Sequence, residues 1–418
     1  MTLLAKGVTD VGRKRKHNED AYLVDDELGL YVVADGMGGH AAGEVASSKT
    51  VDVVRETIVE GREILASYAR SPDDFSLRDR AVNLVEQAIQ KASASVFEMA
   101  RKDESKRGMG TTCVLLVRAG TKGIIGHVGD SRVYLLRNEQ AYQLTEDHTL
   151  VNAQIKQGLL TKEQARKAAF ANVITRSVGY QESVQVDTLL TDLLPGDRFL
   201  LCSDGLSGYV RDEEWPKFLS VSTIDDLPEK LIALANHRGG KDNSTAIVLS
   251  VEGEEAVAEK AEVEARMEVL RQIPLFKHLK YKELIQVLSI VRAERVRVDH
   301  TIIEEGSDGD RLFVMLRGRA VVLKSGQEVA EIIAGQHFGE MALIDSSPRS
   351  ATVRSAQEST LLSIDRENFY GLMRRDSVLA VKLLWSFLQV LSGRLRATNE
   401  ELSGARAGSC QQPGPLGE

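Results

Sequence analysis

Four aspartates stand where short apolar runs start or stop: Asp35 after Leu30 to Ala34, Asp130 after Ile124 to Val128, Asp204 after Phe199 to Cys202, and Asp242 before Thr245 to Leu249. In a packed sheet, acids at strand ends can converge on one rim, where their repulsion is costly unless divalent cations neutralise it. Oxygen-only donors of this kind suit Mg2+ or Mn2+. Gly36 and Gly205, directly after Asp35 and Asp204, permit tight turns or a close carbonyl approach. A single Asp-Gly pair is an ordinary turn signal, but the recurrence at several strand ends points to a metal centre. Cys202 and Ser203 adjoin Asp204 without a recognisable histidine partner, so they read as core and turn rather than as nucleophiles.

A second cluster lies in the run Phe338 to Val353. Gly339 opens a short helix whose free amides could receive an anion, Glu340 can accept hydrogen bonds from a ribose hydroxyl, and Arg349 can meet a phosphate. Taken without further context, a Glu and an Arg at this separation are ordinary solvated charges.

The elements that must position these residues are legible from periodicity. Leu30 to Ala34, Thr112 to Val117, Gly123 to Val128, Val133 to Leu136, Arg198 to Cys202 and Thr245 to Val251 read as strands bounded by glycine and aspartate. Gly43 to Ile64 and Leu77 to Lys102 carry apolar residues at helical spacing and predict long covering helices. Residues 252 to 268 hold seven glutamates against Lys260 and Arg266, a charged helix that Pro274 stops. Beyond it, helical pieces through Tyr281 to Arg292 give way to glycine-punctuated strands from Glu294 to Ile364 and to helices from Arg366 to Leu402. The expected divisions are residues 1–252, a linker 253–273, a second domain 274–402, and a disordered tail 403–418 rich in Gly, Pro, Gln and Ser.

Composition narrows the function classes. The chain has 418 residues, 43% apolar and 27% charged, an ordinary globular balance with no run approaching a membrane span. Its net charge is -8, of which residues 1–250 contribute -5 from 31 basic and 36 acidic residues. No large basic block is present, which disfavours nucleic-acid binding. Arg13 to Lys16 is the one basic cluster. No secretory signal follows it, so the expected location is cytoplasmic, with no membrane partner. Cys113, Cys202 and Cys410 are too far apart to suggest a disulfide framework.

Seven strings resemble, in order, the metal-dependent serine/threonine protein phosphatases of type 2C, and most closely their bacterial branch: RKHNEDAY from Arg15, VVADGMGGHAAGEVAS from Val32, GMGTT from Gly108, GHVGDSRVYLLR from Gly126, LTEDHT from Leu144, LLCSDGL from Leu200 and KDNST from Lys241. The resemblance implies a sandwich of two antiparallel sheets flanked by helices, with a metal site at one edge. Asp35 would bridge two ions of Mn2+ or Mg2+, Gly36 would offer its carbonyl to one, and Asp204 and Asp242 would complete the other. Glu19 and Asp20 would hold waters around the ions, Asp130 with Asp204 would bind a third and weaker ion, and Arg15 would clamp substrate phosphate. Met37 departs from many eukaryotic relatives, which carry histidine there as a proposed general acid. The proton donor is therefore unassigned, with a coordinated water preferred and His40 read as a turn residue. Residues Asp147 to Gly179, with helices expected at Val151 to Lys156 and Thr161 to Ala169, occupy the family's variable flap.

FGEMALIDSSPRSATV, from Phe338, resembles the phosphate-binding cassette of cyclic-nucleotide-binding domains, and residues 270 to 400 resemble the rest of such a domain, a β-roll between helices. The resemblance implies that Glu340 binds the ribose 2'-hydroxyl and Arg349 the cyclic phosphate, with Gly339, Met341, Ala342, Ser350 and Ala351 lining the cassette. Ser350 does not discriminate cAMP from cGMP. Residues 403–418 do not read as the helix-turn-helix of the related transcription factors, so a role of that kind is not expected. Leu383, Leu384, Phe387, Leu388 and Leu391 form an apolar face read first as core packing, while Trp385 is open as a lid over the base or as a homodimer contact of the C-terminal helices.

The expected fold class is thus α+β, and the expected activity is hydrolysis of phosphoserine and phosphothreonine in protein substrates, coupled to cyclic-nucleotide binding and set against a cognate kinase. Two alternatives stand beside it: a nucleotide-responsive scaffold with an inactive phosphatase domain, and an active phosphatase whose second domain serves dimerisation or targeting.

Overall fold

The computed structural model describes residues 1–38, 42–221, 223–253 and 257–409. The chain forms two compact units, Met1–Ala261 and Glu262–Glu418.

In the first unit, β1 (Thr2–Asp10), β2 (Asp20–Asp25) and β3 (Leu30–Met37) are followed by α1 (Ala42–Glu60), α2 (Arg62–Arg70) and α3 (Phe75–Lys102). Then come β4 (Gly110–Thr111), β5 (Cys113–Ala119), β6 (Lys122–Val128), β7 (Arg132–Arg137), β8 (Gln140–Gln143), α4 (Leu150–Lys156), α5 (Lys162–Lys167), β9 (Asp187–Asp192) and β10 (Arg198–Cys202). The unit's chain continues through α6 (Asp204–Ser207), α7 (Trp215–Val221), α8 (Leu227–His237) and β11 (Ser244–Glu252). One antiparallel sheet has the order β1-β11-β10-β7-β8 and the other β2-β3-β5-β6-β9.

Successive strand residues face opposite sides, which explains why these strands are apolar throughout. Leu30, Val32 and Ala34 of β3 pack toward α1, α2 and α3, with Val54, Val85 and Ile89 among the facing residues. Leu200 and Cys202 of β10 pack with Trp215, Leu219 and Leu231 from α7 and α8. The alternate residues, such as Tyr31, Val33, Phe199 and Leu201, are buried as well, so both faces of both strands are covered.

The helix expected over Gly43 to Ile64 is two helices. Gly61 interrupts it, and a Cβ there would stand 2.3 Å from Leu84 Cδ1, so any side chain would force Leu84 of α3 to move. By contrast α3 forms as expected, with Asp74 accepting from the amides of Ser76 and Leu77 and with Arg101 and Lys102 in its last turn.

The boundary between the units falls inside α9 (Val257–Gln272), which ends just before Pro274. The second unit continues with α10 (Tyr281–Leu288), β12 (Arg292–Val296), β13 (Thr301–Ile303), β14 (Arg311–Arg317), β15 (Arg319–Lys324), β16 (Gln327–Ile333), β17 (His337–Phe338), β18 (Thr352–Ser355), β19 (Ser359–Asp365), α11 (Arg366–Arg375) and α12 (Ser377–Ser409). Its antiparallel sheets run β12-β19-β14-β17 and β13-β18-β15-β16, with Phe313, Met315, Ala320, Phe338, Val353 and Leu361 in one core. The architecture is therefore a β-sandwich with helices followed by a helix-flanked β-roll.

Two expectations need correction here. The helix read as reaching Arg292 stops at Leu288, and Arg292 already pairs with Ser363 in the sheet. The disordered tail does not begin at Ser403, because α12 continues to Ser409; residues 410–418 lie outside the described residues. Ala, Leu, Arg and Glu between the glycines carry helix propensity past Gly393 and Gly404. No helix among the described residues is long and apolar enough to cross a membrane.

Candidate active site and nucleotide cassette

Asp20 and Asp35 are direct cross-strand partners on β2 and β3 of one sheet, whereas Asp204 follows β10 and Asp242 precedes β11 of the other. The two sheets thus deliver their acids to a shared edge, and the carboxyl groups of Asp35 and Asp204 meet within hydrogen-bonding range. Asp130 lies on the turn between β6 and β7 and is buried, as is Asp20. Arg15 Nη2 donates to Asp242 Oδ2 at 2.8 Å, and its Nη1 lies 4.0 Å from Glu19 Oε2.

The electrostatics of this edge are those of an anion cluster. Burial first, and then Asp20, Asp204, Asp130 and Asp242, hold the Asp35 carboxyl well above the ordinary range. Burial raises Asp20 to about 7 and Asp130 to about 8, with repulsion from Asp204 contributing to both. Asp204 is raised by burial and by Asp242, and Glu19 by burial against the opposing pull of Arg15. Such groups are costly to ionise together unless cations sit among them.

The donor set fits divalent cations. Asp20 Oδ2 accepts from Ser203 Oγ at 2.9 Å and from Thr245 Oγ1 at 2.6 Å, while its buried Oδ1 has no hydrogen-bond partner. An orphaned carboxylate oxygen beside further carboxylates is the arrangement that a hard cation or its water shell completes.

Among the described residues, the His, Cys, Asp or Glu group whose ligand atoms all lie within 4.8 Å is His127, His148 and Asp187, not the strand-end acids. Its chemistry argues against a ligand role. His148 Nδ1 accepts from the Gly129 amide at 3.1 Å, and its Nε2 lies 3.2 Å from both Asp187 Oδ2 and Arg176 Nη1, so both ring nitrogens are already engaged within the protein. Arg176 Nη1 also donates to Asp187 Oδ1 at 2.9 Å, so His148 and Asp187 are tied to the flap through Arg176. The strand-end acids, in contrast, are spread along an edge, as suits several ions with few protein ligands each.

Several bracing residues were not singled out from the sequence. Asn243 Oδ1 accepts from the Glu19 amide at 2.8 Å, and its Nδ2 donates to Val11 O and His17 O at 3.0 and 2.9 Å. Thr112 accepts from the Asp35 amide through Oγ1 and donates from its own amide to Asp35 O, while Thr111 Oγ1 donates to that same carbonyl. The available signal was the amide and hydroxyl residues crowding the acids in GMGTT and KDNST. Gly36 is required by close packing, since a Cβ there would lie 2.2 Å from Gly43 O. Cys202 is fully buried with its thiol pushed up to about 12, and Ser203 is committed to Asp20, in keeping with core and turn roles. Met37 ends β3, while His40 lies outside the described residues.

The flap helices form at α4 and α5, with Thr149 and Thr161 as their caps. Arg132 holds Asp147 with a two-pronged contact of 2.9 and 2.6 Å at the start of this segment.

In the second unit, Gly339 adopts φ 71°, the left-handed region, and leads into a four-residue 3-10 turn, Glu340–Leu343, rather than a longer helix. Glu340 is 2% exposed and Ala342 is buried, while Met341 and Ser350 are exposed and Ala351 is half-buried. Arg349 Nη1 and Nη2 donate to Gly339 O at 3.1 Å and Arg311 O at 2.9 Å. Its guanidinium lies over Gly309, where a Cβ would come within 2.0 Å of Nε. Burial lowers the Arg349 pKa, against the favourable fields of Asp310 and Glu340. Arg349 thus lies close enough to the buried Glu340 to feel its field. Arg366, unnoticed in the sequence, clips the cassette to α11 by donating to Ala342 O at 2.6 Å, Asp345 O at 2.5 Å and Gly309 O at 3.0 Å.

The model of the family described as protein phosphatase 2C matches residues 11–236, and the cyclic nucleotide-binding domain model matches residues 293–376. The serine/threonine phosphatase stp of Listeria innocua is 35% identical over 245 residues, 58% of this chain and 93% of its own length. The solved serine/threonine phosphatase PstP/Ppp of Mycobacterium tuberculosis aligns with TM-score 0.54 and 31% identity over 60% of this chain and all of that one. A structure of the PstP catalytic domain in complex with two manganese ions aligns with TM-score 0.51 and 31% identity, covering 60% of this chain and 99% of that one. The chain belongs to the protein phosphatase 2C family, a metal-dependent protein serine/threonine phosphatase that also carries a C-terminal cyclic nucleotide-binding domain.

Proposed function

We propose that this phosphatase hydrolyses phosphoserine and phosphothreonine in protein substrates at the edge formed by Asp35, Asp204 and Asp242, and that nucleotide bound by its second unit sets the rate. The observation carrying the first part is the convergence of buried and half-buried acids from both sheets on one edge, next to the Arg15–Asp242 pair. Asp35 would bridge two cations of Mn2+ or Mg2+, with the Gly36 carbonyl on one and Asp204 and Asp242 on the other. Asp130 with Asp204 would hold a third. When bound, the ions supply an acidified water and offset charge on the transferring phosphoryl group. Glu19 and Asp20 orient water at the edge, and Asn243 fixes Glu19 through its backbone amide. Arg15, half exposed and planar, presents a fork to phosphate oxygens while Asp242 keeps it aimed.

In the second unit, Glu340 would take the ribose 2'-hydroxyl and Arg349 the cyclic phosphate, with Gly339, Met341, Ala342, Ser350 and Ala351 around them. Arg349 would exchange its two carbonyl acceptors for phosphate oxygens, which shifts the Gly339 segment that Arg366 ties to α11. That exchange supplies a difference between two states, the condition for coupling. The cAMP or cGMP preference and the sign of regulation follow from titrating both. A cytoplasmic site of action and an opposing kinase accord with phosphoprotein substrates. Mn2+-dependent release of phosphate from a phosphothreonine peptide tests the activity; its absence favours a scaffold with an inactive phosphatase domain.

The C-terminal helix supports a second copy of this chain as partner. Leu383 and Phe387 are buried in the unit, as expected, and Leu379 with them, but Leu384 and Leu388, read first as core, are exposed, as is Trp385. Val378, Val381, Trp385, Leu388 and Leu395 recur at spacings of three, four, three and seven, and all are 40–66% exposed. That is a heptad seam, which a self-associating helix pair buries. Sedimentation should give the mass of two 45.9 kDa chains, and Leu388→Glu should give one. A monomeric native chain contradicts the pairing.

A further inference from the structure

The loop bearing Arg15 is fastened at both ends. Asn243 Nδ2 donates to Val11 O at 3.0 Å and to His17 O at 2.9 Å, and the Arg13 amide donates to Gly240 O at 2.7 Å. Between those anchors Lys14 and Lys16 are exposed on either side of Arg15, and Lys241 is exposed directly before Asp242. Each lysine is therefore next in sequence to one partner of the Arg15–Asp242 ion pair. Among the described residues, none of the three has a carboxylate partner within ion-pair distance, although the chain as a whole has net charge -8. These exposed ammonium groups flank the candidate phosphate clamp beside an edge that is itself rich in carboxylates, and so form a separate basic fringe to it.

We propose that Lys14, Lys16 and Lys241 select phosphopeptides with acidic side chains flanking the phosphorylated residue. The inference rests on the phosphatase reading of this site and names the substrate class it favours. Adjacent Cα atoms lie about 3.8 Å apart and an extended peptide advances about 3.3–3.6 Å per residue, so these lysines reach positions one to three residues from a phosphate held by Arg15. Acidic flanks would meet charge there without displacing any existing ion pair. The contacts are exposed, so each contributes modestly, and their joint effect weakens as salt screens it. They also raise encounter rates for acidic segments.

The test compares kcat/KM of the full chain in Mn2+ for phosphothreonine peptides flanked by Asp and Glu or by Ala, alongside para-nitrophenyl phosphate, which has no flanks. Wild type is expected to prefer the acidic peptide by about tenfold at low salt, the product of several weak contacts. The preference is expected to shrink to about twofold in 0.5 M NaCl, where screening is strong. Lys14→Ala/Lys16→Ala/Lys241→Ala should reduce the low-salt preference to about twofold and leave para-nitrophenyl phosphate hydrolysis unchanged. Equal rates for the peptides in wild type, or a preference that survives the triple substitution, overturn the assignment. A triple variant that loses para-nitrophenyl phosphate hydrolysis while folded also overturns it, since the lysines would then serve the chemistry itself. A wild type inactive on para-nitrophenyl phosphate and both peptides removes the phosphatase reading, and the preference with it.

Discussion

Asp204→Asn is expected to lower kcat toward a phosphothreonine peptide by at least about a thousandfold, in line with the several kcal/mol that a metal centre contributes to charge stabilisation. The substitution keeps shape and removes one charge from the point where Asp35, Asp130 and Asp242 crowd together. Cation affinity should fall, because Asp204 serves two of the candidate ion positions. The folded state should not suffer. Burial and Asp242 raise the Asp204 pKa, so at neutral pH its ionised form opposes folding in the absence of metal; the neutral amide relieves that cost. In EDTA the variant is expected to melt no lower than the parent chain. In saturating Mn2+ the parent should gain roughly 5–10 °C and the variant much less, by mass action on the folded state. Near-normal turnover, or an equal Mn2+ shift in both proteins, refutes the role given to Asp204.

Arg349→Ala is expected to weaken cyclic-nucleotide binding by at least about a hundredfold, the loss that follows when a charge-assisted, two-pronged phosphate contact is removed. The side chain also supports Gly339 O and Arg311 O, so truncation alone could loosen the cassette. Arg349→Lys separates these effects, because it keeps the charge and loses the planar fork. It should retain the fold and still bind nucleotide far more weakly than wild type. Calorimetry with cAMP and cGMP reads both; equal binding by wild type and Arg349→Ala contradicts the assignment of the site. Phosphatase activity should persist in Arg349→Lys, since the residue belongs to the other unit, while its response to added nucleotide should be lost.

Much of the site was legible because it is written in local strings. Asp35, Asp130, Asp204 and Asp242 are visible as acids that punctuate apolar strands, and the continuous apolar runs of β3, β10 and β11, bounded by glycine and aspartate, mark those strands as covered on both faces. The edge itself is a product of topology: β2 pairs with β3 in one sheet and β10 with β11 in the other, and no local spacing says that Asp35 and Asp204 meet. The bracing by Asn243, Thr111 and Thr112 was hidden for a similar reason, since amides and hydroxyls acquire meaning only from partners distant in sequence. Arg366 joins Gly309 and Ala342 across the β-roll and reads in the sequence as an ordinary helix-start arginine. The break at Gly61 and the exposed seam on α12 depend on which face another helix covers, which periodicity alone leaves open.

The most direct test of the account is hydrolysis of a phosphothreonine peptide by the purified full chain in Mn2+, titrated separately with cAMP and cGMP. The account predicts metal-dependent release of phosphate at a rate that changes saturably with at least one of the two nucleotides. A substantial rate indifferent to both would contradict the coupling of the two units, and no hydrolysis in Mn2+ would contradict the function proposed for the first.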